Sequence, residues 1–279
     1  MMKHGRRVAL VTGAARGLGW GIARAFGRAG ARVCAIDING DELERCAHDL
    51  AADGAEFQTD RADVADLAEC GRVAKRIVDR WGRLDVVVHN AIYMPLVTFD
   101  ATTPEEWRRQ LDVGIGGLFN CTHAAWQQMK AQGGGGHIIG VASGSSIRGY
   151  KEEIAYCTVK HGVEGFVKAL SLEAAAHQIA INTIGPGARI KPTRMTWAEY
   201  DRASQSQRAQ WADPIELGRA WVWLAGQPPR RFSGYRFDAH TIVQTIAREG
   251  EDFAFAAEKV TLYPDDFRAR EAWYRTYAG

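Results

Sequence analysis

Val8-Ala-Leu-Val-Thr12, followed at once by Gly13-Ala-Ala-Arg-Gly17-Leu-Gly19 and then by Trp20-Gly-Ile-Ala-Arg-Ala-Phe26, decides how this chain folds. The run over 8–11 is apolar and too short for a helix, so it reads as a strand buried on both faces. Over 19–29 apolar residues recur at three- and four-residue spacing, the signature of a helix with one buried face. The same alternation continues, with strands predicted over 32–36, 84–88, 137–141 and 180–184. Helices are predicted over 40–52, 67–81, 105–131 and 156–176. Parallel neighbours need crossover connections, and right-handed crossovers send helices to both faces of the sheet. The fold class is therefore α/β, with a doubly wound, mostly parallel sheet and helices on both faces.

Composition narrows the function. With 46% apolar and 24% charged residues among 279, the chain suits a globular protein with a real core. Its 35 basic and 33 acidic residues leave a net charge of +2, which gives no reason to expect a nucleic-acid partner or an anionic membrane. No uncharged apolar stretch approaches the roughly 18 residues of a spanning helix, and the run over 8–11 is too short for a signal-peptide core. The expectation is a soluble, cytoplasmic protein. Cys34, Cys46, Cys70, Cys121 and Cys157 are odd in number and form no C-x-x-C pair, so they read as free thiols, with no metal site.

A single domain over 1–279 accounts for this organisation. Two segments stand apart. The stretch over 188–213 is polar, with Trp197, Tyr200 and Trp211 interleaved, and reads as an insertion able to cover a cleft. A further helix follows over 214–225. The tail over 239–279 carries Phe253, Phe255, Tyr263, Phe267, Trp273, Tyr274 and Tyr277, too aromatic for a disordered segment, and is expected to dock on the body or on a neighbouring subunit.

The glycine loop has the setting of a Rossmann-type phosphate cradle: it follows a strand and opens a helix, so helix-end N–H groups face a pyrophosphate. Gly13, Gly17 and Gly19 allow the tight turn and close backbone approach, with Arg16 and Leu18 between them. Asp37 ends the second strand, with Ile38 beside it. A carboxylate there accepts from both ribose hydroxyls and repels a 2′-phosphate, which favours NAD over NADP. Arg16 is either a partner for a 2′-phosphate or a solvated, pyrophosphate-facing cation, and the carboxylate is expected to prevail.

These residues resemble the short-chain dehydrogenase/reductase family over about 8–238. The resemblance rests on the glycine loop, Asp63-Val64, His89-Asn90-Ala91, Ser143, Tyr156-x-x-x-Lys160, Pro186-Gly187 and Thr193. Tyr156 and Lys160 lie four apart on a predicted helix, so the ammonium is expected to lower the phenol pKa from about 10 toward working pH. Ser143, thirteen residues before Tyr156, would orient the substrate oxygen, with Ser145 and Ser146 as weaker alternatives. The family further implies that Asp63 and Val64 contact the adenine and that Asn90 and Ala91 line the cofactor cleft. Pro186, Gly187 and Thr193 would lie by the nicotinamide. It also implies a homo-oligomer, dimer or tetramer, paired through the helices over 105–131 and 156–176, which a purely monomeric species in light scattering would contradict.

The chain departs from the family in three places. Gly114 stands where the family usually has an asparagine that helps hold a proton-relay water, His89 and Ile92 flank Asn90-Ala91, and the last strand continues Asp238-Ala-His instead of Asp-Gly-Gly. The reading is an NAD-dependent oxidoreductase acting on a secondary alcohol or its ketone, cyclic, sugar-like or a hydroxy acid. The departures motivate an alternative, a dinucleotide-binding sensor or scaffold. Arg148, Arg189, Lys191 and Arg194 flank the expected cleft and would suit an anionic substrate, while Trp197 and Tyr200 would equally suit a ring or sugar.

Overall fold

A computed structural model describes residues 7–253. Strands β1 (Val8–Thr12), β2 (Arg32–Asp37), β3 (Phe57–Arg61), β4 (Val86–His89), β5 (Gly136–Val141), β6 (Ile179–Gly185) and β7 (Arg236–Asp238) form one sheet in the order β3-β2-β1-β4-β5-β6-β7. Every pairing is parallel. The expected doubly wound sheet is the one observed. Strand order reverses between β1 and β4, so a crevice opens at their carboxyl ends.

Helices α1 (Gly17–Arg28), α2 (Gly40–Ala52) and α3 (Leu67–Trp81) follow the first three strands. Next come α4 (Pro104–Leu111), α5 (Gly117–Ala131) and α6 (Ile154–Ala174). The chain then adds the short α7 (Trp197–Arg202) and α8 (Gln205–Arg208), α9 (Pro214–Gly226) and α10 (Ala239–Glu249). Two buried clusters cover the sheet: Ile22, Phe26, Leu50, Trp221, Trp223 and Ile242 on one face, and Val73, Ile77, Leu118, Met129, Val163 and Val167 on the other. Local chemistry sets the ends. Asp66 Oδ1 accepts from the Ala68 and Glu69 amides at the start of α3, and Gly82 closes that helix at φ 75°.

Two elements differ from expectation. The single helix predicted over 105–131 is interrupted by a π turn over Asp112–Gly116, which separates α4 from α5 and turns the Gly114 carbonyl toward β4. Strand β3 was not among the predicted apolar runs, because Phe57-Gln-Thr-Asp-Arg61 is an edge strand with mostly polar residues. Beyond β7, Asp238 caps α10 by accepting from the Thr241 amide, and Phe253 stacks on Trp223 at 4.8 Å. The remaining aromatic residues expected to dock the tail lie outside the described residues.

Candidate active site

The sheet's reversal point is stitched by a few polar groups. Asn90 Nδ2 donates to the Thr12 and Gly13 carbonyls at 3.1 and 3.0 Å, and Thr12 Oγ1 accepts from the Asn90 and Ala91 amides. Gly13 and Gly17 take φ of 63° and 58°, a region that only glycine enters without strain. A Cβ at Gly19 would lie 2.1 Å from the Gly13 oxygen, so the loop closes on itself with no room for a side chain. Asp37 bridges the loop to β2, accepting from the Ala15 and Asn39 amides at 3.1 and 2.9 Å. The Arg16 guanidinium is paired with Glu42 at 3.0 Å.

A cleft of about 1100 Å³ opens above this cradle. Of the residues selected from sequence, Gly13, Arg16, Gly17, Leu18, Asp37 and Ile38 line it, with Asp63, Val64, Asn90 and Ala91. Ser143, Tyr156, Lys160, Pro186, Gly187 and Thr193 line the same cleft, whereas Gly19 lies beneath it and acts through loop closure. A side-chain-free phosphate cradle and a carboxylate at the end of β2 fit a dinucleotide.

At the other end, α6 presents Tyr156 and Lys160 on one face. Tyr156 lines the same cleft as Ser143, which follows β5. Lys160 Nζ lies 5.5 Å from the Tyr156 ring centroid and donates to the Val141 carbonyl at 2.6 Å. Burial brings the Lys160 pKa down to about 8, opposed by Glu164. Burial also raises the Tyr156 pKa against the influence of Ser143, with Glu153 and Cys157 adding to the rise. In this arrangement the phenol is therefore raised and not lowered as expected. The physical reason is burial of the phenol, while the Lys160 ammonium donates to the Val141 carbonyl.

The serine loop has a foundation that no sequence motif announced. Arg236 Nη2 donates to the Ser143 carbonyl at 2.7 Å, and Nη1 lies 3.5 Å from Glu164 Oε1. Glu164 Oε2 accepts from Thr183 Oγ1 at 3.1 Å. Burial raises the Glu164 pKa and Arg236 opposes the rise. Lys191, read from sequence with the substrate-flanking cations, instead passes over the glycine loop, its Cε 3.8 Å from a Cβ placed on Gly17. The segment over 188–213 packs there too: Trp197 Nε1 donates to the Ala15 carbonyl at 2.9 Å, and Arg45 lies over the Trp197 ring at 4.0 Å.

The departures at His89, Ile92 and Gly114 form one cluster. A Cβ at Gly114 would meet Val159 Cγ1 at 2.3 Å and Ile92 Cδ1 at 3.0 Å, so apolar side chains occupy the space an asparagine would need. The Gly114 carbonyl can only accept, so His89 Nε2 carries the proton that it receives at 2.8 Å, and Nδ1 is left to accept from Thr12 Oγ1 at 3.4 Å. Burial, helped by the Lys160 ammonium, drives the His89 pKa down to about 3 against its backbone hydrogen bonds. His89 thus stays neutral when folded but takes up a proton below about 6.5 when unfolded, so stability is lost as pH falls through the interval between those values. Urea unfolding at pH 7 and 4.5 should show a loss from this group of about 2–3 kcal/mol. A His89→Asn variant should lose less stability than the parent over the same step, and an equal loss in both would contradict this.

Comparison with known proteins agrees with this geometry. The family model described as short chain dehydrogenase matches residues 7–203. The D-threitol dehydrogenase of Mycolicibacterium smegmatis is 31% identical over 234 residues, covering 82% of this chain and 89% of that protein. The galactitol 2-dehydrogenase of Agrobacterium fabrum is 33% identical over 186 residues, covering 67% and 72%. Among solved structures, a short chain dehydrogenase from Mycobacterium paratuberculosis bound to NAD superposes with TM-score 0.75 at 26% identity, covering 85% of this chain and 97% of that one. One from Shigella flexneri complexed with NADP gives 0.74 at 25%, covering 86% and 99%. The sheet architecture and these matches agree: the chain belongs to the short-chain dehydrogenase/reductase family.

Proposed function

We propose that this protein is an NAD-dependent oxidoreductase that interconverts a secondary alcohol and its ketone, with a neutral, polyhydroxylated substrate as the leading class. The observation that carries this is Ser143 and Tyr156 lining the cleft that holds the glycine cradle, with Lys160 Nζ 5.5 Å from the Tyr156 ring centroid. A bound nicotinamide would accept or supply the hydride. Ser143 would hold the substrate oxygen, and Tyr156 would pass a proton to or from it. Lys160 would meet the nicotinamide ribose. In the reductive direction the raised phenol is well suited to donate its proton. In the oxidative direction the same proton has to be removed, so oxidation should speed up as pH rises.

NAD is favoured over NADP because the Asp37 carboxylate stands at the ribose end and the Arg16 guanidinium is already paired with Glu42. The polyol class is supported by the names of the threitol and galactitol dehydrogenase relatives. Of the cations once considered for an anionic substrate, Arg148 bonds to the Tyr150 hydroxyl and Arg189 to Gln210. Initial rates on D-threitol, galactitol and their carboxylate analogues, each with NAD and with NADP, test the reading. NAD should exceed NADP in kcat/KM by at least about tenfold, on the scale of one uncompensated charge contact. Preference for NADP would refute the cofactor assignment. NADH binding with no turnover across the panel would favour the scaffold, a reading that the filled space at Gly114 keeps in play.

A further inference from the structure

A lysine from a distant segment crosses the glycine loop. Lys191 follows β6, is half-buried and lines the cleft, and its Cε is the one atom outside the loop that comes within 4 Å of a Cβ placed on Gly17. Its place is built by neighbours without charge. Nζ donates to the Met195 carbonyl and lies 5.9 Å from the Trp197 ring centroid. Trp197 is itself fixed on the loop through its bond to the Ala15 carbonyl and an edge contact with Trp20 at 5.0 Å.

Other cations that line the cleft already hold carboxylates, Arg16 with Glu42 at 3.0 Å and Arg109 with Asp63 at 2.8 Å. Lys191 does not. Among the described residues no carboxylate comes within ion-pair distance of Nζ, and Glu42 and Glu199 act on it only through space, while burial and the Arg16 charge bring its pKa down to about 8. A half-buried cation without an anion costs stability, and an arriving anion offsets that cost. Three protons sit on an ammonium and the Met195 carbonyl takes one, so two are left to donate. The loop itself offers an anion only N–H groups and the α1 dipole, worth about half an elementary charge, against the two negative charges of a diphosphate. Lys191 supplies what is missing.

We propose that Lys191 is a cofactor-binding residue that donates to the diphosphate oxygens of the dinucleotide, a charge brought to the glycine loop by the segment after β6. No bond is made or broken at this residue; it contributes charge and hydrogen bonds alone. A 2′-phosphate is the other phosphate that an ammonium here could meet, and the Asp37 carboxylate, which lines the same cleft, disfavours it.

This inference rests on the dinucleotide-binding part of the proposed function, and one set of titrations separates the two. Binding of NADH and NADPH to the full chain is followed by fluorescence, and ADP and adenosine are measured by competition against NADH. In Lys191→Met the Kd for ADP and for NADH should rise by about tenfold or more, the scale of a hydrogen bond to a charged group, while adenosine stays within about twofold. The guanidinium of Lys191→Arg also donates to phosphate and should retain most of the ADP affinity. Ligand-free Lys191→Met should melt no lower than the parent, because the variant loses an unpaired cation and keeps a side chain of similar length. Unchanged ADP affinity in Lys191→Met, or adenosine weakened as much as ADP, would overturn the assignment. A loss confined to NADPH would overturn it too, by placing the ammonium on a 2′-phosphate. A parent that takes up neither ADP nor NADH would instead overturn the dinucleotide reading beneath it.

Discussion

Tyr156→Phe is expected to reduce kcat by about 10²–10⁴ while leaving NADH affinity within about twofold of the parent, the loss typical of a removed general acid/base. The substitution deletes one oxygen and keeps the ring, so the packing of α6 and the 5.5 Å approach of Lys160 to that ring survive. Only proton transfer is removed. Steady-state rates beside a fluorescence titration of NADH distinguish the outcomes. A variant that turns over at the parent rate would show that Tyr156 is not the acid/base, and one that loses NADH binding as well would show that the phenol has a structural role instead.

Gly19→Ala is expected to weaken NADH binding by roughly a hundredfold or more, about 3 kcal/mol, and to lower Tm. Its Cβ would lie 2.1 Å from the Gly13 carbonyl oxygen and 2.4 Å from Asn90 Nδ2. Both neighbours belong to the stitch between β1 and β4, and one of them is backbone, so the loop has to move away from the shape that faces a phosphate. Gly133→Ala provides a matched control, since a Cβ there meets nothing within 4 Å, although its φ of 69° carries its own modest strain. Unchanged NADH affinity in Gly19→Ala would mean that the dinucleotide does not sit on this loop.

Sequence reading reached the fold because the central strands are buried on both faces and therefore appear as unbroken apolar runs. The strand predicted over 180–184 lies inside β6 (Ile179–Gly185), and the helices predicted over 40–52 and 67–81 coincide with α2 and α3. Strand β3 escaped because an edge strand can carry polar residues, and Gln58 and Asp60 are nonetheless buried there. The π turn escaped because periodicity counts apolar faces and does not register one added residue, so Gly114 signalled only a missing asparagine side chain.

The candidate site divides along the same line. Tyr156, Lys160 and the glycine loop were legible because their geometry is set by spacing within a single element. Arg236 was not, since it meets the Ser143 carbonyl across a sequence separation of 93 residues. Glu153 carried no signal in the sequence, since only the folded loop after β5 brings Ser145 to it. Lys191 was legible as a cation near the cleft, yet which end of the cleft it serves depends on how Trp197 docks the following segment.

The central claim is that one cleft brings a nicotinamide ring to the Tyr156 hydroxyl. A crystal structure of the protein with NAD and D-threitol tests it most directly. The pyrophosphate should rest on the loop over 13–19 and the adenosine ribose on Asp37, with the reacting alcohol oxygen within hydrogen-bond distance of both Tyr156 and Ser143. A dinucleotide bound elsewhere, or one bound in the cleft with its nicotinamide turned away from Tyr156, would contradict the account.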